Sequence, residues 1–202
     1  MSISSTAPAA APSSHAKRGS AGPAVVAAAT AADVPSLIAL MNLLAAERNG
    51  LFIMPVDPVS GVAMLQAHLA AIAGNGNEAV LIAANGGEIY ALATGTRGVH
   101  PARRGTLDIG IGVHPARRGE GLGTALMRAM ERWAASVGIH RLQLTVLTTN
   151  APAISLYRKV GFAIEGVLRA HAECNGSMLD EYIMVKLIEP QAPARPTADT
   201  GR

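Results

Sequence analysis

Apolar positions along this chain change their spacing several times, and each change marks an element. Residues 24–29 are a short apolar run that reads as a first strand. Leu37, Ile38, Met41, Leu44 and Ala45 then recur at helical spacing, which predicts a helix over 31–48. Thr30, with Asp33 three residues on, has the form of a capping box at its start. A loop with two prolines covers 49–58. Val62, Leu65, Leu69 and Ile72 then share one face of a second helix over 60–73. Residues 79–84 and 88–94 flank Asn85-Gly86-Gly87, a strong hairpin signal, and 107–113 reads as a fourth strand. The most regular stretch is 121–137, where Leu122, Ala125, Leu126, Ala129, Met130, Trp133, Ala134 and Val137 repeat by three and four and Gly138 ends the helix. Leu142, Leu144 and Val146 alternate with Gln143 and Thr145 in a fifth strand. A helix over 151–160 is opened by Asn150 and stopped by Gly161, and strands at 162–172 and 178–187 turn at Asn175-Gly176.

The predicted order is βααβββαβαββ. It describes one α/β domain over residues 23–189, a mixed and mostly antiparallel sheet of about seven strands flanked by about four helices. The strands are too few for a doubly wound dinucleotide fold. Residues 1–22 and 190–202 are rich in Ser, Ala, Pro and Gly without a period, and are expected to be disordered.

Composition narrows the function. Half of the 202 residues are hydrophobic but only 3% are aromatic, so the core is expected to be built from Ala, Val, Leu and Ile. A pI near 9.4 invites a nucleic-acid partner. The excess charge, however, lies at Lys17, Arg18, Arg195 and Arg202, while residues 23–189 carry 13 basic and 13 acidic side chains. That balance argues against nucleic acid. No apolar run approaches the ~20 residues of a membrane span, so no membrane partner is expected. The single cysteine, Cys174, fits a reducing cytoplasm and reads as a small hydrophobe. The first twenty residues lack the apolar centre of a secretory signal. Six histidines without close ligand spacing predict no metal site.

The chemistry is expected at Arg117-Arg118-Gly119-Glu120-Gly121-Leu122-Gly123-Thr124, between a predicted strand and the most regular helix. Glycines let a backbone approach a ligand closely, and the first-turn N–H groups and the macrodipole of a helix favour an anion. The two arginines add attraction and bidentate reach. A nucleotide P-loop is excluded by spacing and by the missing Gly-Lys-Ser/Thr, and a dinucleotide fingerprint by G-x-G-x-G in place of G-x-G-x-x-G. A glycine-rich turn with two solvated arginines would also satisfy the pattern.

These residues resemble the GNAT superfamily of N-acetyltransferases. Arg118-Gly119-Glu120-Gly121-Leu122-Gly123, preceded by Gly-Val-His-Pro at 112–115, is similar to its Gln/Arg-x-x-Gly-x-Gly/Ala motif. Asn150 through Tyr157 to Gly161-Phe162 is similar to its fourth helix and following strand. Glu165-Gly166, Asn175-Gly176 and Asp180-Glu181-Tyr182 are similar to the ending of members that acetylate amino acids and small amines. The resemblance covers about residues 104–188 and is weaker over 24–100.

The resemblance implies acetyl-CoA as co-substrate and a small-molecule amine as acceptor. Arg118, Gly119, Glu120, Gly121, Leu122, Gly123 and Thr124 would bind the pyrophosphate. The backbone of Ile111, Gly112 and Val113 would pair with the pantetheine arm and offer an N–H to the thioester carbonyl. Asn150 would hydrogen-bond the pantetheine, and Tyr157 would stand near the sulfur as an acid. A homodimer is common among similar proteins. Asp108, where similar sequences often carry Glu, is the candidate base, directly or through water.

This fits the reaction's needs. An α-amino group titrates near 7.7–8.0 and must lose a proton before it attacks; the developing oxyanion needs a fixed donor; and the departing thiolate benefits from a neutral phenol. By residue pattern alone, Asp108 equally suits a surface strand end, Tyr157 a core position, Asn150 a helix cap and His114 a loop, while Trp133 belongs to the helix's core stripe. Two other functions share the motif: a non-catalytic acyl-CoA sensor, and a protein N-terminal acetyltransferase with an open peptide groove.

Overall fold

The computed structural model describes residues 23–47 and 53–189. The two chain ends, and the part of the proline loop before Ile53, lie outside the described residues. Strand β1 (Val25–Ala28) leads through a 3-10 turn at Ala31–Asp33 into α1 (Val34–Ala46). The helix starts later than the periodicity suggests. Pro35 occupies its first turn, where a missing N–H costs nothing. The Asp33 carboxylate accepts from the Thr30 N–H at 2.8 Å and from its hydroxyl at 2.7 Å.

The remaining elements follow the predicted order: α2 (Ser60–Ile72), β2 (Glu78–Asn85), β3 (Glu88–Arg97), β4 (Thr106–Val113), α3 (Leu122–Ser136), β5 (Arg141–Leu147), α4 (Ala151–Lys159), β6 (Ala163–Cys174) and β7 (Ser177–Leu187). The β2–β3 turn places Gly86 and Gly87 at φ 60° and 84°, the left-handed pair that a two-residue hairpin requires.

All seven strands form one sheet in the order β1-β2-β3-β4-β5-β7-β6. Neighbours are antiparallel except β4 and β5, which run parallel. On one face Leu126, Met130 and Ala134 of α3 and Ile154 and Tyr157 of α4 pack on Ala91, Ala93, Leu107, Ile109, Leu142, Leu144, Val146 and Met184. On the other, Leu37, Leu40 and Leu44 of α1 cover Ile82, Ile89 and Leu92, and Val34 and Ile38 meet Leu69 and Ile72 of α2. Side chains alternate between faces along a strand. Asp108, Gln143, Thr145, Leu147 and Glu181 therefore belong to the face opposite α3 and α4.

The parallel seam is short. Thr106 pairs with Arg141, Leu107 with Leu142 and Asp108 with Gln143, and there the pairing ends. Beyond it β4 stays on β3 as far as Val113, and β5 stays on β7 as far as Leu147. The strands therefore part like the arms of a V. Beneath the V the two helices meet closely: a Cβ on Gly123, in the first turn of α3, would sit 2.8 Å from Leu156 Cδ2 of α4.

Candidate active site

The parting of β4 and β5 opens a cavity of about 480 Å³. Ile111, Gly112 and Val113 form its β4 wall; Thr145, Val146 and Leu147 form its β5 wall. With no strand partner across the gap, the β4 edge past Asp108 offers main-chain groups to an extended ligand. At one end lies the turn into α3, where Arg118, Gly119, Gly121, Leu122, Gly123 and Thr124 line the cavity. Gly119 and Gly121 sit at φ 83° and 85°, a region costly to any residue with a Cβ. Gly121 is the N-cap of α3 and has no side chain to bond the helix's opening N–H groups. Those groups have no intrahelical partner either, a geometry that suits an anion.

The two arginines differ in their bonding. Arg117 Nε pairs with Glu120 Oε2 at 2.7 Å, and its guanidinium lies 4.2 Å from the centroid of the Tyr90 ring. Arg117 and Glu120 are both outside the cavity lining, although Glu120 belongs to the expected phosphate segment. Arg118 Nε donates to the Val113 carbonyl at 3.2 Å, and its Nη2 donates to Glu47 at the end of α1. His114 makes a local turn: its Nδ1 accepts from the Ala116 N–H at 3.2 Å.

From α4 and its cap, Asn150, Pro152, Ala153, Ser155, Leu156, Tyr157 and Lys159 complete the lining. Asn150 Oδ1 accepts from the Ala153 N–H at 3.2 Å, so this residue is both helix cap and cavity wall. Tyr157 is buried, with its ring centroid 6.1 Å from that of Phe162. Burial pushes its phenol up to about 12. It is neutral throughout the physiological range.

Asp108 does not reach the cavity lining. It is the last β4 residue paired with β5, and its Oδ1 accepts from Gln143 Nε2 at 2.6 Å. Arg141 continues this polar row, donating to Gln143 Oε1 and clasping Glu165 with two nitrogens. The β5 wall and Lys159 were not anticipated from sequence. The only clue was that the fifth strand follows the glycine-turn helix; which strand it pairs with leaves no local pattern. A second depression, of about 520 Å³ on the outer side of α3, is lined by Arg128, Glu131 and Arg132 among others and contains none of these groups. Among the described residues no cluster of His, Cys, Asp or Glu could hold a metal, and no helix is long and apolar enough to cross a membrane.

The model of the acetyltransferase (GNAT) family matches residues 40–162, more than half the chain. This chain belongs to that family. Its GNAT relatives include an L-methionine sulfoximine/L-methionine sulfone acetyltransferase of Pseudomonas paraeruginosa, 30% identical over 81% of this chain and 94% of the relative. An L-amino acid N-acetyltransferase of Escherichia coli is 37% identical over 43% of this chain, a match that spans about half (54%) of that protein's length. Among solved structures, a GNAT acetyltransferase from Streptococcus pneumoniae is 29% identical and superimposes with a TM-score of 0.75 over 82% of this chain and 99% of the other. GNAT membership brings the enzyme class, N-acetyltransferase, and the donor, acetyl-CoA. The cavity suits that donor: an unpaired strand edge for an amide-bearing arm, and a glycine turn at a helix N-terminus for a diphosphate.

Proposed function

We propose that this protein transfers the acetyl group of acetyl-CoA to the primary amine of a free amino acid or similar small amine by direct attack on the thioester. The observation that carries the reading is the parting of β4 and β5 above the uncapped N-terminus of α3. The names of the relatives support an amino-acid acceptor.

When bound, acetyl-CoA supplies an activated acyl group and a thiolate leaving group. The protein's own residues do the rest. The N–H groups of Leu122, Gly123 and Thr124 and the Arg118 guanidinium hold the diphosphate. Main-chain groups of Ile111, Gly112 and Val113 align the pantetheine arm, and one N–H from this strand stabilises negative charge on the carbonyl oxygen, a contribution worth ~10²–10³ in rate where a single donor has been removed. Asn150 holds the arm from the α4 side.

Tyr157 Oη donates to the departing sulfur. A thiol titrates near 8.5, well below a phenol at about 12. Complete transfer from phenol to thiolate therefore runs uphill unless the phenol regains a proton. The acetylated nitrogen must shed one, so Tyr157 can hand its proton to sulfur and recover another from nitrogen. We assign Asp108 a positioning role, fixing Gln143 at the closed end of the V.

A non-catalytic acyl-CoA sensor has no use for a buried neutral phenol beside the gap, and the glycine turn alone would serve it. The test is thiol release from acetyl-CoA against amino acids, polyamines, aminoglycosides and short peptides. Release with amino acids is expected. Tight coenzyme A binding with no release from any amine would overturn the reading in favour of a sensor, and release with peptides alone would shift it to protein N-termini.

A further inference from the structure

Glu181 is the one charged side chain fully buried among the described residues, at 1% exposure. It lies on β7, in register with Leu147 of the cavity's β5 wall, and on the sheet face opposite α3 and α4. Across from it β6 departs from regular pairing. Leu168 is opposite Glu181 and Ala172 is opposite Leu179, so Arg169, Ala170 and His171 together face the single residue Asp180. This bulge is pinned: Ala170 adopts φ 47°, and its N–H donates to Asp180 Oδ1 at 2.8 Å. Its effect is to aim His171 across the strand, so that Nδ1 lies 2.6 Å from Glu181 Oε2. The imidazole itself is half exposed, at 53%.

A buried carboxylate joined to an exposed imidazole is a poor way to stabilise a sheet, since apolar side chains of similar volume commonly do as well. Bulges next to active sites characteristically re-aim a side chain. A carboxylate that accepts from Nδ1–H fixes one tautomer and leaves Nε2 with its lone pair outward, the arrangement of an oriented general base. The acetyl transfer needs such a base. Like Asp108, which Gln143 holds, His171 and Glu181 lie outside the cavity lining, but Glu181 is paired with Leu147 at the end of the β5 wall.

From this arrangement, and on the acetyltransferase reading above, we infer that His171 Nε2 takes the proton from the acceptor's ammonium group, with Glu181 as its positioning residue. The proton moves to Nε2 and leaves the nitrogen lone pair free. That pair forms the C–N bond as the C–S bond breaks. Tyr157 protonates the sulfur and recovers the second proton from nitrogen, and His171 releases its own to water, so one proton leaves per turnover. The charged residues next to His171 in sequence and register are Asp180 on β7 and Arg169 and Glu173 on β6 itself.

Two measurements on the full chain test this. Nitrogen NMR of the histidines should show His171 as the Nδ1–H tautomer in the wild type and in Glu181→Gln, and as a mixture in Glu181→Leu; the opposite tautomer in the wild type overturns the inference. Thiol release with the best amino acid of the panel should show kcat/KM falling on the acid side. His171→Gln should leave the acceptor's own protonation as the sole source of that limb and fall by about 10²-fold at neutral pH, with coenzyme A affinity unchanged. Glu181→Leu should lower kcat without moving KM, and Glu181→Gln should restore most of it. A His171→Gln enzyme with the wild-type rate and pH profile overturns this inference alone. A wild type that releases thiol with no amine overturns the acetyltransferase reading and takes the inference with it.

Discussion

The Arg118 guanidinium, at the turn into α3, donates to the carboxylate of Glu47, 71 residues earlier at the end of α1. One cation thus lines the cavity and also ties it to the helix that leads into the proline loop. A phosphate must compete with Glu47 for it. Glu47→Gln should therefore tighten coenzyme A binding by roughly two- to five-fold, the scale of a partly exposed ion pair, while Arg118→Ala should weaken it and flatten its salt dependence. Calorimetric titration at two salt concentrations reads both effects.

Tyr157→Phe keeps the buried ring and removes the proton we assign to the departing sulfur. We expect kcat to fall by about 10²-fold, within the usual range for an acid catalyst, with the coenzyme A dissociation constant within a factor of about two of wild type. Steady-state thiol release with direct binding separates the two. An unchanged kcat would remove Tyr157 from the chemistry.

The same residue makes the fold sensitive to alkali. Its phenol is held up to about 12 by burial, above the ordinary value of 10. Below pH 10 it is neutral whether the chain is folded or not, and its contribution is fully present. Between pH 10 and 12 the unfolded chain ionises while the folded one resists, so stability falls as pH rises, by roughly 3 kcal/mol at about 1.4 kcal/mol per unit. Other groups titrate there too, so the readout is the difference from Tyr157→Phe in urea unfolding, which should shrink with pH by about that amount.

Much of this arrangement is legible in the sequence, and the part that is not has a physical reason. Asn85-Gly86-Gly87 and Asn175-Gly176 mark their turns because left-handed backbone selects Gly and Asn, a local constraint. The stripe from Leu122 to Ala134 marks α3 because burial imposes its period on the chain. Which strands pair is a contest between distant segments and writes no such period. Nothing in 107–113 or 141–147 reveals that the two strands run parallel and stop pairing after Asp108 and Gln143, or that β7 inserts between β5 and β6. For the same reason nothing local to Asp108 reveals that it bonds Gln143 across the seam. Likewise only the bulge at Ala170 directs His171 to Glu181, and no local pattern marks that contact.

At Gly121 the backbone conformation and the space around it can be separated. Its φ is 85°, and a Cβ would meet nothing within 4 Å. Gly121→Ala should therefore cost about 1 kcal/mol of stability through backbone strain alone, and weaken coenzyme A binding where the turn relaxes. Gly121→Asn should recover part of both, because Asn tolerates the left-handed region. Equal losses for Ala and Asn would mean that crowding of the ligand, not strain, is the cause.

Three rungs between β4 and β5 are all that stitch one half of the sheet to the other. Past them the ladder has a missing plank, and on the proposed function the donor's amide-bearing arm fills it. Loading the protein therefore finishes its own architecture: amide hydrogens along Ile111 and Val113 should exchange more slowly once coenzyme A is bound, and the melting temperature should climb with ligand concentration. Substrate here doubles as scaffold.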